Sequence, residues 1–100
     1  MSYQELLVKF LDGLRHPPTR ADAIATFSLL QEAYRAGRLD DGRLMQALKE
    51  LCLDVLMEMR PGKDVDELEP EAEDWASKFH RAIRTRARRE RLTAELLPPA

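Results

Sequence analysis

Apolar residues recur at helical spacing along most of the chain, most densely in residues 44–59. Ten of these sixteen residues are Leu, Met, Val or Cys, and the segment contains neither Gly nor Pro. At about 100° per residue, most of the apolar side chains fall on one broad arc of a helix. These are Leu44, Met45, Leu48, Leu51, Cys52, Val55, Leu56 and Met59. The pattern predicts the central helix of a small bundle, with Asp40 as N-cap and an end at Pro61-Gly62.

Two shorter apolar patterns precede this segment. A six-residue stripe indicates a first helix over residues 2–14, with Ser2 as its N-cap. The stripe consists of Tyr3, Leu6, Leu7, Phe10, Leu11 and Leu14. Pro17-Pro18 should end that helix, because a proline pushes the preceding residue out of the α region. A second helix is predicted from about Thr19 to Ala36, with Gly37 just beyond its C-terminus.

The last predicted helix is long, from about residue 69 to residue 96, with Pro70 in its first turn. Its apolar stripe consists of Leu68, Ala72, Trp75, Ala76, Phe79, Ile83 and Ala87. The stripe breaks where Arg86 and Glu90 occupy positions that should face the core. The final turns are therefore expected to leave the bundle.

No segment shows the two-residue alternation of a β-strand, and Val, Ile and Thr are scarce. The sequence therefore predicts an all-α fold, namely a small four-helix bundle with a long, partly projecting C-terminal helix. Residues 1–97 are expected to form one helical domain, and residues 98–100 a disordered tail.

Amino-acid composition indicates the cellular location and the kind of organism to expect for such a bundle. Cys52 is the only cysteine, and no apolar run approaches the roughly 18 residues that span a bilayer. The N-terminus lacks the features of a signal peptide, so a cytoplasmic protein that does not enter the membrane is expected. The chain has no Asn and has 12 Arg against 4 Lys. That bias suits a thermophilic source, and genome base composition can produce it equally well.

Candidate catalytic and metal-binding residues are sparse. His16, His80 and Cys52 lie far apart in sequence, and no zinc, nucleotide-binding or nucleophile motif surrounds them. Glu50, Asp54 and Glu58 share a helix face that lies away from the apolar arc, as solvated acids do. We therefore expect no enzyme activity, no cofactor and no metal ion.

Charge is unevenly distributed along the chain. Residues 1–77 carry 9 basic and 16 acidic residues, whereas residues 78–100 carry 7 basic and 2 acidic ones. Acids at the start of the last helix and bases at its end suit the helix dipole, which explains part of the pattern. Four arginines, however, share one side over about 15 Å of helix: Arg81, Arg84, Arg88 and Arg91.

Two binding functions fit these patterns. The leading hypothesis is a non-enzymatic protein–protein interaction domain, an adaptor or scaffold, that forms a homodimer or binds another protein. Its candidate interface residues are Val8, Leu53, Met57, Leu92 and Leu96, which fall outside the predicted core or near the end of the chain. The alternative is a nucleic-acid-binding accessory protein that places the four arginines on the phosphate backbone. No aromatic residue alternates with those arginines, which argues against base stacking on the helix itself.

Overall fold

The computed structural model describes residues 2–96, which contain four α-helices. They are α1 (Tyr3–Leu11), α2 (Pro17–Arg35), α3 (Asp41–Met59) and α4 (Val65–Leu96). No strand occurs within residues 2–96. The predicted all-α four-helix bundle is confirmed. The predicted tail at residues 98–100 lies outside the described residues.

Short-range chemistry explains several helix ends. The Ser2 hydroxyl accepts a hydrogen bond from the backbone N–H of Glu5 at 3.2 Å, which satisfies a donor that the first turn of α1 leaves free. Asp40 accepts one from the N–H of Arg43 at 2.7 Å and caps α3 in the same way. Beyond the C-terminus of α2, Gly37 has φ +75°, a left-handed conformation that glycine adopts without strain.

Three predicted boundaries were wrong, and two of them involve proline. The helix α1 ends at Leu11 rather than at Leu14. The helix α2 begins at Pro17 rather than Thr19, because proline at the first helical positions loses no intrahelical hydrogen bond. The helix α4 begins at Val65, so the predicted loop before residue 69 is helical. Pro70 therefore lies in the second turn, where it removes the N–H that would bond to the carbonyl of Asp66. That carbonyl belongs to an exposed residue, so water can satisfy it.

The helices run alternately up and down. Asp41, at the start of α3, contacts His80 of α4, whereas Arg60, just past the end of α3, pairs with Glu71. The two helices are therefore antiparallel, and they form the most extensive helix pair. The helix α1 also runs antiparallel to α4, and α2 packs on α3. The other three helix pairs pack less extensively, and a cleft remains between α1 and α2.

Aromatic rings from α1, α2 and α4 meet in the core. The Phe79 ring is fully buried, with its centroid 4.5 Å from that of Phe27 and 5.7 Å from that of Phe10. Tyr3 adds an edge contact to Phe79 at 6.1 Å. Such pairs stabilise a core beyond their burial of apolar area, by about 0.5–1.5 kcal/mol each. The cluster fixes how α1 and α2 sit against the middle of α4.

The end of α4 extends beyond the bundle. Its last ion pair with α2 joins Arg35 and Glu90 at 2.8 Å, and every residue from 91 to 96 is exposed. The 32 residues of α4 span about 48 Å, and the molecule measures 55 × 27 × 22 Å. The predicted projection of the last helix is therefore confirmed.

Candidate nucleic-acid interface

The four predicted arginines of α4 line one groove. We call them the arginine face: Arg81, Arg84, Arg88 and Arg91. The groove has a volume of about 760 Å³. Its other side is formed by Tyr34 of α2 and by Asp41 and Met45 of α3, close to the joint between those helices. The arginine face thus borders a concave surface rather than a bare helix side.

In the part of the chain that the structure describes, these arginines lack the carboxylate partners that Lys78 and Arg86 of the same helix have, as does Arg89. Lys78 pairs with Asp74 at 3.0 Å, and Arg86 pairs with Glu90 at 3.3 Å. Within residues 2–96, no carboxylate forms an ion pair with any member of the arginine face. All four side chains are exposed, so their guanidinium groups are open to an external anion.

A polar cluster links three helices at the floor of this groove. Oδ1 of Asp41 accepts hydrogen bonds from the Tyr34 hydroxyl at 3.1 Å and from Nε2 of His80 at 3.0 Å. The bonds from His80 and then Tyr34 hold the pKa of Asp41 below its usual value. Burial and the bond to Asp41 raise the pKa of Tyr34. The cluster keeps α2, α3 and α4 in register beside the arginines.

A second groove lies on the other side of α4, against α1. This α1–α4 groove has a volume of about 920 Å³ and is lined by Ser2, Tyr3, Gln4, Leu6, Lys9, Trp75, Lys78, Arg81, Ala82, Thr85, Arg86, Arg89 and Glu90. Basic side chains therefore border both sides of α4. Arg81 and Thr85 line both grooves, so the two concave surfaces meet along one ridge of the helix.

Two aromatic residues of the α1–α4 groove were not predicted as site residues. Trp75 is half-buried, and the Nζ of Lys78 lies over its ring, 5.0 Å from the ring centroid. Tyr3 is 4% exposed, and its buried hydroxyl has no hydrogen-bond partner among residues 2–96. Burial raises the pKa of Tyr3 to about 12, although the charge of nearby Arg86 opposes the rise. Helical spacing assigned both residues to the core, because it does not show which groove they border.

The candidate apolar interface residues are spread over the molecule. Val8 is 72% exposed and borders the cleft between α1 and α2. Met57 is exposed near the end of α3, and Leu53 is half-buried against the core. Leu92 and Leu96 lie at the projecting end of α4 and are 49% and 83% exposed. Met57 and Leu96 lie near opposite ends of the long axis, so the five residues do not form one continuous surface.

Other chemistry is limited in the described part of the chain. Burial raises the pKa of the Cys52 thiol to about 12, so the thiol is protonated at neutral pH and is a poor nucleophile. Within residues 2–96, no three His, Cys, Asp or Glu side chains converge as a metal site. None of the helices between residues 2 and 96 combines the length and apolarity needed to cross a bilayer.

Comparisons with protein-family models, with curated proteins and with solved structures give no match.

Proposed function

We propose that this protein is a non-enzymatic nucleic-acid-binding accessory protein that holds the phosphate backbone on its arginine face. One observation carries the proposal. Four exposed arginines border one groove, and no carboxylate among residues 2–96 pairs with them. Guanidinium groups match phosphate oxygens in charge and in the spacing of their donors. We also propose that it acts in the cytoplasm, in keeping with its single buried cysteine.

The dimensions of the face set the expected strength of binding. One strand of a duplex carries a phosphate about every 3.4 Å of helix axis, so about 15 Å of α4 can face about four phosphates. Four contacts predict a slope of log affinity against log salt of about −3.6 on a duplex, and about −2.8 on a single strand. Binding should therefore be clear at low salt and weak at physiological salt.

The acidic half of α4 favours a contact confined to one end of the molecule. Residues 65–74 contain six acids and no base. Glu71 and Glu73 pair with Arg60 and Lys49, and the net charge of the chain is −2. A polyanion is repelled by this half and attracted by the other, so the backbone should engage only the end that carries the arginine face.

Fluorescence anisotropy with a labelled oligonucleotide, titrated from about 25 to 200 mM salt, tests this function. The double variant Arg84→Gln/Arg88→Gln should reduce the duplex slope by about 2 and lower the low-salt affinity at least tenfold. Folding should persist, because the change removes like-charge repulsion at i, i+4 spacing.

A matched control removes the same charge elsewhere. Arg15 and Lys63 are exposed and border neither groove of α4. The variant Arg15→Gln/Lys63→Gln should keep the salt slope of the native protein. If the two double variants lose the same affinity and the same salt slope, net charge alone explains binding and the arginine face is not the binding site.

Self-association is the second candidate function, and the exposed leucines at the end of α4 favour it. Leu92 and Leu96 are about one turn apart on a helix end whose residues 91–96 are all exposed. A stable interface, however, buries about 800 Å² on each partner. Two leucines supply only part of that area, so we rank a weak homodimer below phosphate binding. Light scattering behind size-exclusion chromatography, at low and high salt, measures the oligomeric state.

A further inference from the structure

We propose that the α1–α4 groove receives one base of a single-stranded nucleic acid whose phosphates lie along the arginine face. The inference rests on the proposed function and deepens it, because it specifies a single strand rather than a duplex. It depends on Trp75, on Tyr3 and on the ridge that the two grooves share.

No aromatic residue lies among the arginines, but Trp75 precedes them on α4 and offers a stacking surface that the Lys78 side chain covers. Its ring packs against Phe10, with centroids 4.7 Å apart, and the ammonium group of Lys78 lies over it. The Lys78 side chain is 49% exposed, and its ion pair with Asp74 is solvent-exposed as well, so little free energy holds the ammonium group over the ring. A base can then take its place, and the displaced ammonium group can meet the phosphate of the same nucleotide.

The Tyr3 hydroxyl supplies a polar contact that the folded chain leaves unused. Buried polar groups are nearly always hydrogen-bonded, yet this hydroxyl has no partner among residues 2–96. The edge of a base carries both donors and acceptors, either of which a hydroxyl can bond. The guanidinium of Arg86 lies near this hydroxyl and is about half exposed, so it can make room for the base. A simple inorganic anion would use the cations of the groove and can accept from the Tyr3 hydroxyl, but it would leave the Trp75 ring unused.

The shared ridge explains why the strand has to be single. Arg81 and Thr85 border both grooves, and Trp75, Lys78 and Arg81 follow one another at three-residue spacing, so one diagonal row of side chains leads from the arginine face to Trp75. A base can cross that ridge only when it is unpaired, because a paired base is stacked and its edge is occupied.

Trp75 is the only tryptophan of the chain, so its fluorescence reports this groove directly. We would titrate the intact protein at about 50 mM salt with a twelve-nucleotide oligo(dT), an oligo(rU) of equal length and a twelve-base-pair duplex. The single strands should quench Trp75 to saturation, and the duplex should bind with little quenching. The affinities for the two single strands show whether DNA or RNA is the preferred ligand.

The variant Tyr3→Phe separates this groove from the arginine face. It removes a buried, unpartnered hydroxyl, so the fold should be retained or slightly stabilised. Its affinity for single strands should fall about fivefold, which corresponds to one hydrogen bond of about 1 kcal/mol, and its affinity for the duplex should not change. Arg84→Gln/Arg88→Gln should weaken both.

The outcomes distinguish the two proposals. If no oligonucleotide binds at low salt, the proposed function fails and this inference fails with it. If single strands bind with the expected salt slope but neither quench Trp75 nor respond to Tyr3→Phe, the base site is overturned and the arginine face stands. Equal quenching by the duplex would overturn the requirement for a single strand.

Discussion

His80 of α4 lies 3.0 Å from Asp41 in the first turn of α3, measured from Nε2 to Oδ1. Asp41 also accepts the hydroxyl of Tyr34, so one carboxylate joins three helices. The contact spans 39 residues of sequence and sits at the floor of the groove that the arginine face borders. It couples the stability of the bundle to the shape of the candidate binding surface.

This coupling predicts an acid sensitivity that can be assigned to Asp41. The folded state lowers the pKa of this carboxyl, so its contribution to stability is present above the unfolded value of about 3.9 and is lost as the pH falls through the lower folded value. The variant Asp41→Asn should therefore melt at a lower temperature than the native protein at pH 7. The difference should shrink progressively below about pH 4.

Thermal melts followed by circular dichroism between pH 2 and pH 7 measure this difference. Asp54 is an exposed acid of the same helix without a hydrogen-bond partner among the described residues, so Asp54→Asn serves as control. The control should follow the native curve. A difference for Asp41→Asn that stays constant down to pH 2 would show that its carboxylate charge contributes nothing.

The aromatic cluster predicts where the fold is least tolerant of change. The Phe79 ring has no exposed surface and contacts rings from α1 and α2. Phe79→Ala should cost about 3–5 kcal/mol, a large part of the roughly 5–15 kcal/mol that stabilises a domain. Phe79→Leu keeps more of the apolar volume and should cost less. Urea denaturation measures both, and a loss below about 1 kcal/mol for the alanine variant would contradict this packing.

The features of this fold that could be predicted from the sequence are those that depend on interactions between residues close together in the chain. Ser2 and Asp40 cap their helices through bonds to residues three positions away, and Gly37 turns the chain through its own backbone freedom. Apolar spacing found the buried face of α3 because that helix has neighbours along most of its length. The error at Pro17 arose because a proline is compatible with either a helix end or a first turn. The error at Pro70 arose because the helix extends one turn further back, where the carbonyl that the proline leaves free is exposed to water.

Only part of the candidate site could be predicted, because the rest depends on how the helices pack. The arginine face repeats along one helix, so helical geometry alone places its four members together. Tyr3 and Tyr34 reach α4 from other helices, and their positions depend on how the helices pack. Single-sequence periodicity shows which side of a helix is buried, but not which helix covers it. The polar cluster of Asp41, Tyr34 and His80 was missed for the same reason.

The buried thiol predicts an alkaline limit to stability. A cysteine in an unfolded chain has a pKa of about 8.5, and burial raises the pKa of Cys52 to about 12. Above about pH 8.5 the unfolded state loses this proton first, so stability should fall by about 2 kcal/mol between pH 8.5 and pH 10. Cys52→Ala should remove that part of the decline.

Urea denaturation of the native protein and of Cys52→Ala at pH 7, 8.5 and 10 measures this loss. Cys52→Ser should be less stable than the alanine variant at all three values by about 1–3 kcal/mol, because it buries a hydroxyl. Both variants should bind oligonucleotides as the native protein does when folded. A selective loss of binding in a folded variant would contradict a purely structural role for this thiol.

The exposed residues Leu92 and Leu96 predict which surface forms the homodimer interface. The pair Leu92 and Leu96 lies on a helix end that projects from the bundle, so two copies can pair these ends without repacking their cores. Leu92→Lys/Leu96→Lys should then yield a monomer with unchanged helix content. Met57→Lys changes an exposed residue near the opposite end and should leave the dimer intact, whereas Leu53→Lys should also lose stability because Leu53 packs against the core.

Light scattering at about 0.1 to 1 mM protein separates these variants. A dimer that is lost only in the double leucine variant supports pairing through the α4 ends. A dimer lost instead in Met57→Lys moves the interface to α3. A native protein that stays monomeric up to 1 mM would contradict self-association through this surface. The salt response adds a second criterion, because an apolar interface persists at high salt whereas pairing of acidic with basic ends weakens.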